Sequence, residues 1–141
     1  MKLTVATKVN APVSEVWRAY TTPSDIVMWN AASEDWHTTS ARLDLRKGGK
    51  FSSRMEAKDG SFGFDFEGTY TNVVENCLIE YTMGDRAATV SFEETVDGTA
   101  VTAVFDSEDS HSIEQQQQGW QAILDNFRRH VEAGVDGGGE G

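Results

Sequence analysis

The stretch SFGFDFEGTY, Ser61–Tyr70, decides the fold. Phe62, Phe64, Phe66, Gly68 and Tyr70 fall on one phase, and Ser61, Gly63, Asp65, Glu67 and Thr69 on the other. Successive side chains of a strand point to opposite faces, so this is a strand whose aromatic side must be covered and whose polar side meets water. Just before it, Lys58-Asp59-Gly60 reads as a hairpin turn, and before that Phe51, Ser53, Met55 and Ala57 share a face. Further upstream Leu43 and Leu45 alternate with Arg42, Asp44 and Arg46, and Lys47-Gly48-Gly49-Lys50 supplies the turn. Downstream come three more inward rows: Cys77, Ile79, Tyr81 and Met83; Val90, Phe92, Glu94 and Val96; Val101, Ala103 and Phe105. Asp85-Arg86 and Asp97-Gly98 separate them as turns, and connections this short make neighbouring strands antiparallel.

On either side of this block the period changes. Leu3, Val5, Thr7 and Val9 form a first strand that ends at Asn10-Ala11-Pro12. Val13, Val16, Trp17 and Tyr20 then share a helical face, and Thr22-Pro23-Ser24-Asp25 restarts a second short helix. There Thr22 is the expected cap, Pro23 the first residue, and Asp25 the side chain that reaches back. At the far end Ile113, Trp120, Ile123, Leu124, Phe127 and Val131 recur at three and four residues, the mark of one long amphipathic helix. It is the only element long enough to cover the apolar face of the sheet, so the class is α+β.

Composition bounds the rest. A chain of 141 residues that is 38% hydrophobic suits one domain, residues 1–133, followed by a glycine- and acid-rich tail, 134–141, expected to be flexible. The formal charge of −11 repels polyphosphate, so no nucleic-acid partner is expected. Cys77 is the single cysteine and cannot form an internal disulfide. No long apolar run suggests a signal peptide or an integral membrane segment, which places the expected protein in the cytoplasm.

Four stretches resemble a known family. Ala11-Pro12-Val13-Ser14-Glu15-Val16-Trp17 is similar to its opening AP-x-x-x-VW signature, and Trp29 stands where a tryptophan follows the second helix. Gly48-Gly49-Lys50-Phe51 resembles its GG-[KR]-[FY] turn, and Gly119-Trp120-Gln121-Ala122-Ile123-Leu124 its closing GW-x-x-[IL]-L helix. By these marks the chain resembles the SRPBCC or START-like superfamily. Within it the match is to the Aha-like branch, related to the C-terminal domain of the activator of the heat-shock-protein ATPase, over about Lys2 to Ala133. The resemblance implies a helix-grip fold: a curved antiparallel sheet of about six strands wrapped around the C-terminal helix, with two short helices after the first strand. It also implies an apolar cavity between sheet and helix that holds a lipid, sterol, polyketide or other aromatic molecule. One position departs from the family pattern, with Asn30 where an aromatic usually follows the tryptophan.

The inward rows then nominate the lining of that cavity: Phe51, Met55, Phe62, Phe64, Phe66, Tyr70, Tyr81, Phe92 and Trp120, with Trp29 and Trp36 on irregular segments at its mouth. The same aromatic stripe is equally the pattern of a filled core. Glu94 is the telling polar residue, since it keeps the phase of Phe92 and a buried carboxylate needs a partner. It orients a ligand or pairs with Arg54 or Arg86, unless it sits at a strand end with its head in water.

The glutamine run Gln115–Gln118 continues the helix, and Gln116 and Gln117 lie on the face of Trp120, expected to look into the cavity. Gly119 costs the helix about 1 kcal/mol unless close approach to the sheet requires it. Catalytic groupings are thin. His37, His111 and His130 share no metal spacing, Asp35 and His37 form only a weak pair, and Cys77 reads as a small buried hydrophobe. No cofactor or metal is expected, and no catalytic residue is nominated. The expected function is binding of a small hydrophobic ligand. The alternatives are a protein-interaction domain with a chaperone or other protein as partner, and behind it a hydrolase or cyclase.

Overall fold

A computed structural model of the chain describes residues 1–138. The alternating rows become one seven-stranded antiparallel sheet in the order β1-β7-β6-β5-β4-β3-β2. Its strands are β1 (Lys2–Val9), β2 (Trp36–Leu43), β3 (Lys50–Ala57), β4 (Gly63–Val74), β5 (Leu78–Met83), β6 (Arg86–Thr95) and β7 (Gly98–Asp106). Helices α1 (Val13–Thr21) and α2 (Pro23–Trp29) follow β1, and α3 (Ile113–Gly138) closes the chain. Every link between β2 and β7 is a hairpin, so the sheet meanders. The one long connection, through the two helices after β1, carries the chain across to β2 at the opposite edge, and the meander ends with β7 beside β1.

The sheet curls because β4 changes partners along its length. Its first half, Gly63–Thr69, pairs with β3, whereas Thr69–Val74 pairs with β5 and carries a register shift between Tyr70 and Asn72. A second shift falls between Thr38 and Ser40 on β2. Such irregularities sharpen local twist and bend the bulged strand. Gly68 sits at the handover, where a Cβ would lie 2.5 Å from the Phe51 ring and 2.5 Å from the Thr82 carbonyl oxygen, so only glycine fits. The Gly48-Gly49 turn docks on the same place. Gly48 N donates to Tyr70 O at 2.7 Å and Tyr70 N to Gly49 O at 2.8 Å, with Gly48 at φ +84°.

Helix α3 lies in the concave side. Leu124, Phe127 and Val131 are buried with Val5, Val90, Val101 and Phe105 of the sheet and Val16 and Trp17 of α1. Phe105 and Phe127 are among the largest fully buried side chains. Helix α2 is tied to α1 by Trp29, whose indole Nε1 donates to Ala19 O at 3.0 Å. Thr38 Oγ1 on β2 donates to Asn30 O at 2.6 Å and so fixes the exit from α2.

Several expectations are corrected. The sheet has seven strands where the resemblance implied about six, and β2 begins at Trp36 instead of near Arg42. Trp36 is thus on a strand and Trp29 is the last residue of a helix, so neither lies on an irregular segment. Val96 falls in the β6–β7 turn and is fully exposed, and Cys77 is exposed in the turn before β5, so both inward rows are shorter than the alternation suggested. Arg86, assigned to a turn, opens β6 opposite Met83. Thr22 precedes α2, yet its hydroxyl donates to Arg18 O at 2.7 Å instead of capping, and Asp25 meets His130. Helix α3 continues to Gly138, past Gly134 where the glycines suggested an end, and 139–141 lie outside the described residues.

Candidate functional site

Between the sheet and α3 lies a cavity of about 280 Å³. The strands contribute Phe51, Met55, Phe64, Phe66, Tyr70, Tyr81 and Met83, α1 and α2 contribute Tyr20, Ile26 and Trp29, and α3 contributes Trp120, Ile123 and Leu124. The cavity exists because aromatic rings brace one another around it. Phe51 meets Tyr70, Tyr81 and Phe66 at centroid distances of 5.2, 5.1 and 5.7 Å. Tyr20 stacks on Trp29 at 5.0 Å, and Trp120 stacks on Phe105 at 3.9 Å. Rings held edge-to-face or stacked keep fixed separations and cannot collapse into the space as single methyl-bearing chains do.

Of the residues nominated from sequence, Trp29, Phe51, Met55, Phe64, Phe66, Tyr70, Tyr81 and Trp120 line this cavity. The structure does not bring the others to it. Phe92 is core, packed edge-on against Trp17 at 5.2 Å and Tyr20 at 5.5 Å. Trp36 stands outside with Phe62 and Phe64 at 5.9 and 5.8 Å, where Phe62 is 61% and Phe64 43% exposed. Glu94 is exposed near the far end of β6, opposite Thr99 and away from the cavity, and it pairs with neither Arg54 nor Arg86. Arg54 instead binds Glu56 and Asp65.

Gln116 and Gln117 are corrected too, and each glutamine of the run has its own task. Ser112 and Gln115 form a capping box: Gln115 N donates to Ser112 Oγ at 3.1 Å and Ser112 N to Gln115 Oε1 at 3.2 Å. Gln116 is buried against the preceding loop, where its amide accepts from Glu108 N at 2.7 Å and donates to Glu108 O at 3.0 Å and His111 O at 2.8 Å. Gln117 reaches Thr4 O at 3.2 Å, one turn ahead of Gln121, which reaches Ala6 O at 3.0 Å. Gln118 only meets Glu114 on the surface. The Ser-x-x-Gln spacing was a signal available in the sequence.

Sequence reasoning nominated Tyr70 and Tyr81 as aromatic lining and missed that their hydroxyls, with that of Tyr20, are the cavity's polar groups. Tyr20, Tyr70 and Tyr81 carry hydroxyls into an apolar lining. Burial, with a smaller contribution from the neighbouring Tyr70, raises the Tyr20 phenol well above its ordinary value. Burial pushes Tyr70 up to about 12. Tyr81 rises through burial and then through Tyr20 and Tyr70, while Arg86 acts the other way. All three are therefore neutral donors at ordinary pH. Asn30 and Ser53 are buried at the wall, and Arg42 and Arg86 border it.

A second, open groove of about 650 Å³ lies outside, between α2, β2 and α3, lined by Asn30, Trp36, His37, Asn126, Arg129 and His130 among others. His130 Nε2 and Asp25 Oδ1 are 2.9 Å apart beside it. Asp35 and His37 are both exposed and share no side-chain hydrogen bond among the described residues. Among the described residues no three His, Cys, Asp or Glu side chains gather as metal ligands, and no helix is long and apolar enough to cross a membrane.

Residues 10–132 match the family model described as activator of Hsp90 ATPase homolog 1-like protein. The solution structure of an AHSA1-like protein from Aeromonas hydrophila is 48% identical, with a TM-score of 0.90 over 96% of this chain and 94% of that one. A solution structure from Cytophaga hutchinsonii is 43% identical, with a TM-score of 0.81 over the same shares. A crystal structure from Nitrosomonas europaea, 20% identical with a TM-score of 0.84 over 96% of this chain and 97% of that one, shares the fold. Among curated proteins none matches.

Proposed function

Since the chain belongs to the family of activator of Hsp90 ATPase homolog 1-like proteins, we propose that it is a binding module for a small, mostly apolar molecule seated between the sheet and α3. The observation that carries this reading is the ring-braced cavity of about 280 Å³ with Trp29, Met55 and Trp120 in its wall. Ligand pockets span roughly 300 to 1,000 Å³ and combine an apolar lining with a few placed polar groups. This one stands at the small end of that range, which favours a compact aromatic molecule over a sterol or a long lipid chain. A molecule that binds the folded chain and not the unfolded one stabilises the fold.

Amide spectra of the protein titrated with aromatic, sterol and fatty-chain compounds test the proposal. Shifts at Trp29, Phe64 and Trp120, together with a raised melting temperature, are expected for the compact aromatic members. No shift at any of the three with any compound removes the reading.

A second reading, an interaction domain that works through its surface, draws on the patch formed by Trp36, Phe62 and Phe64. Exposed aromatic clusters of this kind mark contact surfaces. Replacing Phe62 with Ser would abolish partner capture while leaving small-molecule titrations untouched if this reading holds.

A further inference from the structure

The polar groups of the cavity are not scattered over its wall. Tyr70 and Tyr81 are direct register partners on β4 and β5, and Tyr81 is in turn opposite Ala88 on β6. Arg86 precedes Ala88 by two residues and pairs with Met83, which is buried, so Arg86 lies on the concave face in the same row as Ala88, Val90 and Phe92. Arg42, by contrast, alternates with the inward Ala41 and Leu43 and takes the outer phase. Tyr20 enters from α1 and is close enough to both Tyr70 and Tyr81 for their ionisations to influence one another.

None of the three hydroxyls bonds to a protein group among the described residues, and none is sealed in the core, since the one buried side-chain atom without a partner there is Arg128 Nε. Arg86 makes no ion pair among the described residues in a chain of net charge −11; Arg18, Arg46 and Arg54 are paired with carboxylates, while Arg42, Arg128 and Arg129 are not, and of the unpaired four Arg86 is the one in an inward row beside the tyrosines. A hydroxyl open to an apolar cavity is free to bond whatever occupies it, and a guanidinium at an apolar wall calls for a counter-charge. Neutral phenols can give hydrogen bonds to an oxygen anion, and arginine can bind both oxygens of a carboxylate at once.

We propose, resting on the reading of the cavity as a small-molecule site, that its occupant is an acid: a compact apolar body ending in one carboxylate-like group held by Arg86 and the hydroxyls of Tyr81, Tyr70 and Tyr20. The apolar body lies against Trp29, Phe51, Met55 and Trp120. Charge-assisted bonds are about twice as strong as neutral ones, so the acid end sets affinity as well as orientation. Alcohols and esters of the same skeleton fill the same space without it.

Matched pairs test this: naphthalene-2-carboxylate against its methyl ester, and decanoate against 1-decanol, each titrated by calorimetry and by amide shifts at Met55 and Trp120. In the unaltered protein the acid of at least one pair is expected to bind ten times or more tighter than its neutral partner. Arg86→Gln removes that preference and leaves the neutral compound within twofold, Arg86→Lys restores part of it, and Tyr81→Phe weakens the acid several-fold only. Melting curves confirm that each variant is folded. Equal affinity for acid and neutral partner, or equal weakening of both by Arg86→Gln, overturns the acid assignment while the cavity reading stands. Absence of binding by all four compounds overturns both.

Discussion

Trp120 lies flat on Phe105, with ring centroids 3.9 Å apart and planes within 6° of parallel, so one stacked pair joins α3 to β7, the strand next to the β1 edge. Phe105 is fully buried on β7 and Trp120 faces the cavity on its other side. Truncating the buried ring removes the support on which the cavity wall rests. Phe105→Ala should cost about 3 to 5 kcal/mol in urea unfolding, the usual range for deleting a buried aromatic ring. It should also alter the near-ultraviolet signal of Trp120 before the unfolding transition.

Gly119 immediately precedes that stacked tryptophan, and close backbone approach was the one reason to require a glycine there. The space around a Cβ at Gly119 is open, with no atom within 4 Å. Alanine restricts the unfolded chain and favours helix, so Gly119→Ala should raise stability by about 0.5 to 1 kcal/mol. A loss of stability would show that this stretch of α3 packs more tightly than described.

Gln116 and Gln117 should part company when replaced. Gln116→Leu leaves the backbone groups of Glu108 and His111 without their partner, for a cost of about 1 to 3 kcal/mol. Gln117→Leu touches an exposed side chain and should stay within about 0.5 kcal/mol. Neither should change affinity for a cavity ligand, which calorimetry with any compound that binds would check.

The buried phenols predict alkaline sensitivity. In the unfolded chain tyrosine ionises near pH 10, whereas folded Tyr70 holds its proton to about 12 and Tyr20 and Tyr81 hold theirs beyond the ordinary value. Above pH ~10 the unfolded state therefore binds fewer protons than the folded one, and stability falls as pH rises. Below that pH the three residues add no slope. Denaturant midpoints taken from pH 8 to 11.5 should stay level and then decline, and Tyr70→Phe should make the decline shallower.

Much of the fold was legible because strand alternation and helical period are local. The rows of β3, β5 and β7, the Pro12 and Pro23 helix starts, and the apolar face of α3 all follow from spacing alone. What spacing does not carry is where the sheet ends and which end the helix leaves open. Glu94 and Arg86 belong to the same inward row of β6, four pairs of contacts apart along it, yet Glu94 emerges into water beside the β6–β7 turn and Arg86 borders the cavity. The sequence pointed to a polar residue in the right row and chose the wrong end. Trp36 and Phe62 went astray for a related reason: the first half of β4 runs on with only β3 beside it, so its aromatic face leaves the core there. The glutamines misled because a helical face says what a side chain points toward, not which carbonyl lies within its reach.

The outer border of β1 is where those glutamines have their largest consequence. A terminal strand offers a row of free carbonyls and amides to any other extended chain, which makes it a template for fibres. Here Gln117 and Gln121 already occupy the oxygens of Thr4 and Ala6, with α3 laid alongside. Growth of the sheet by strand addition is thereby blocked at β1, and β2 is left as the border at which a second chain could join.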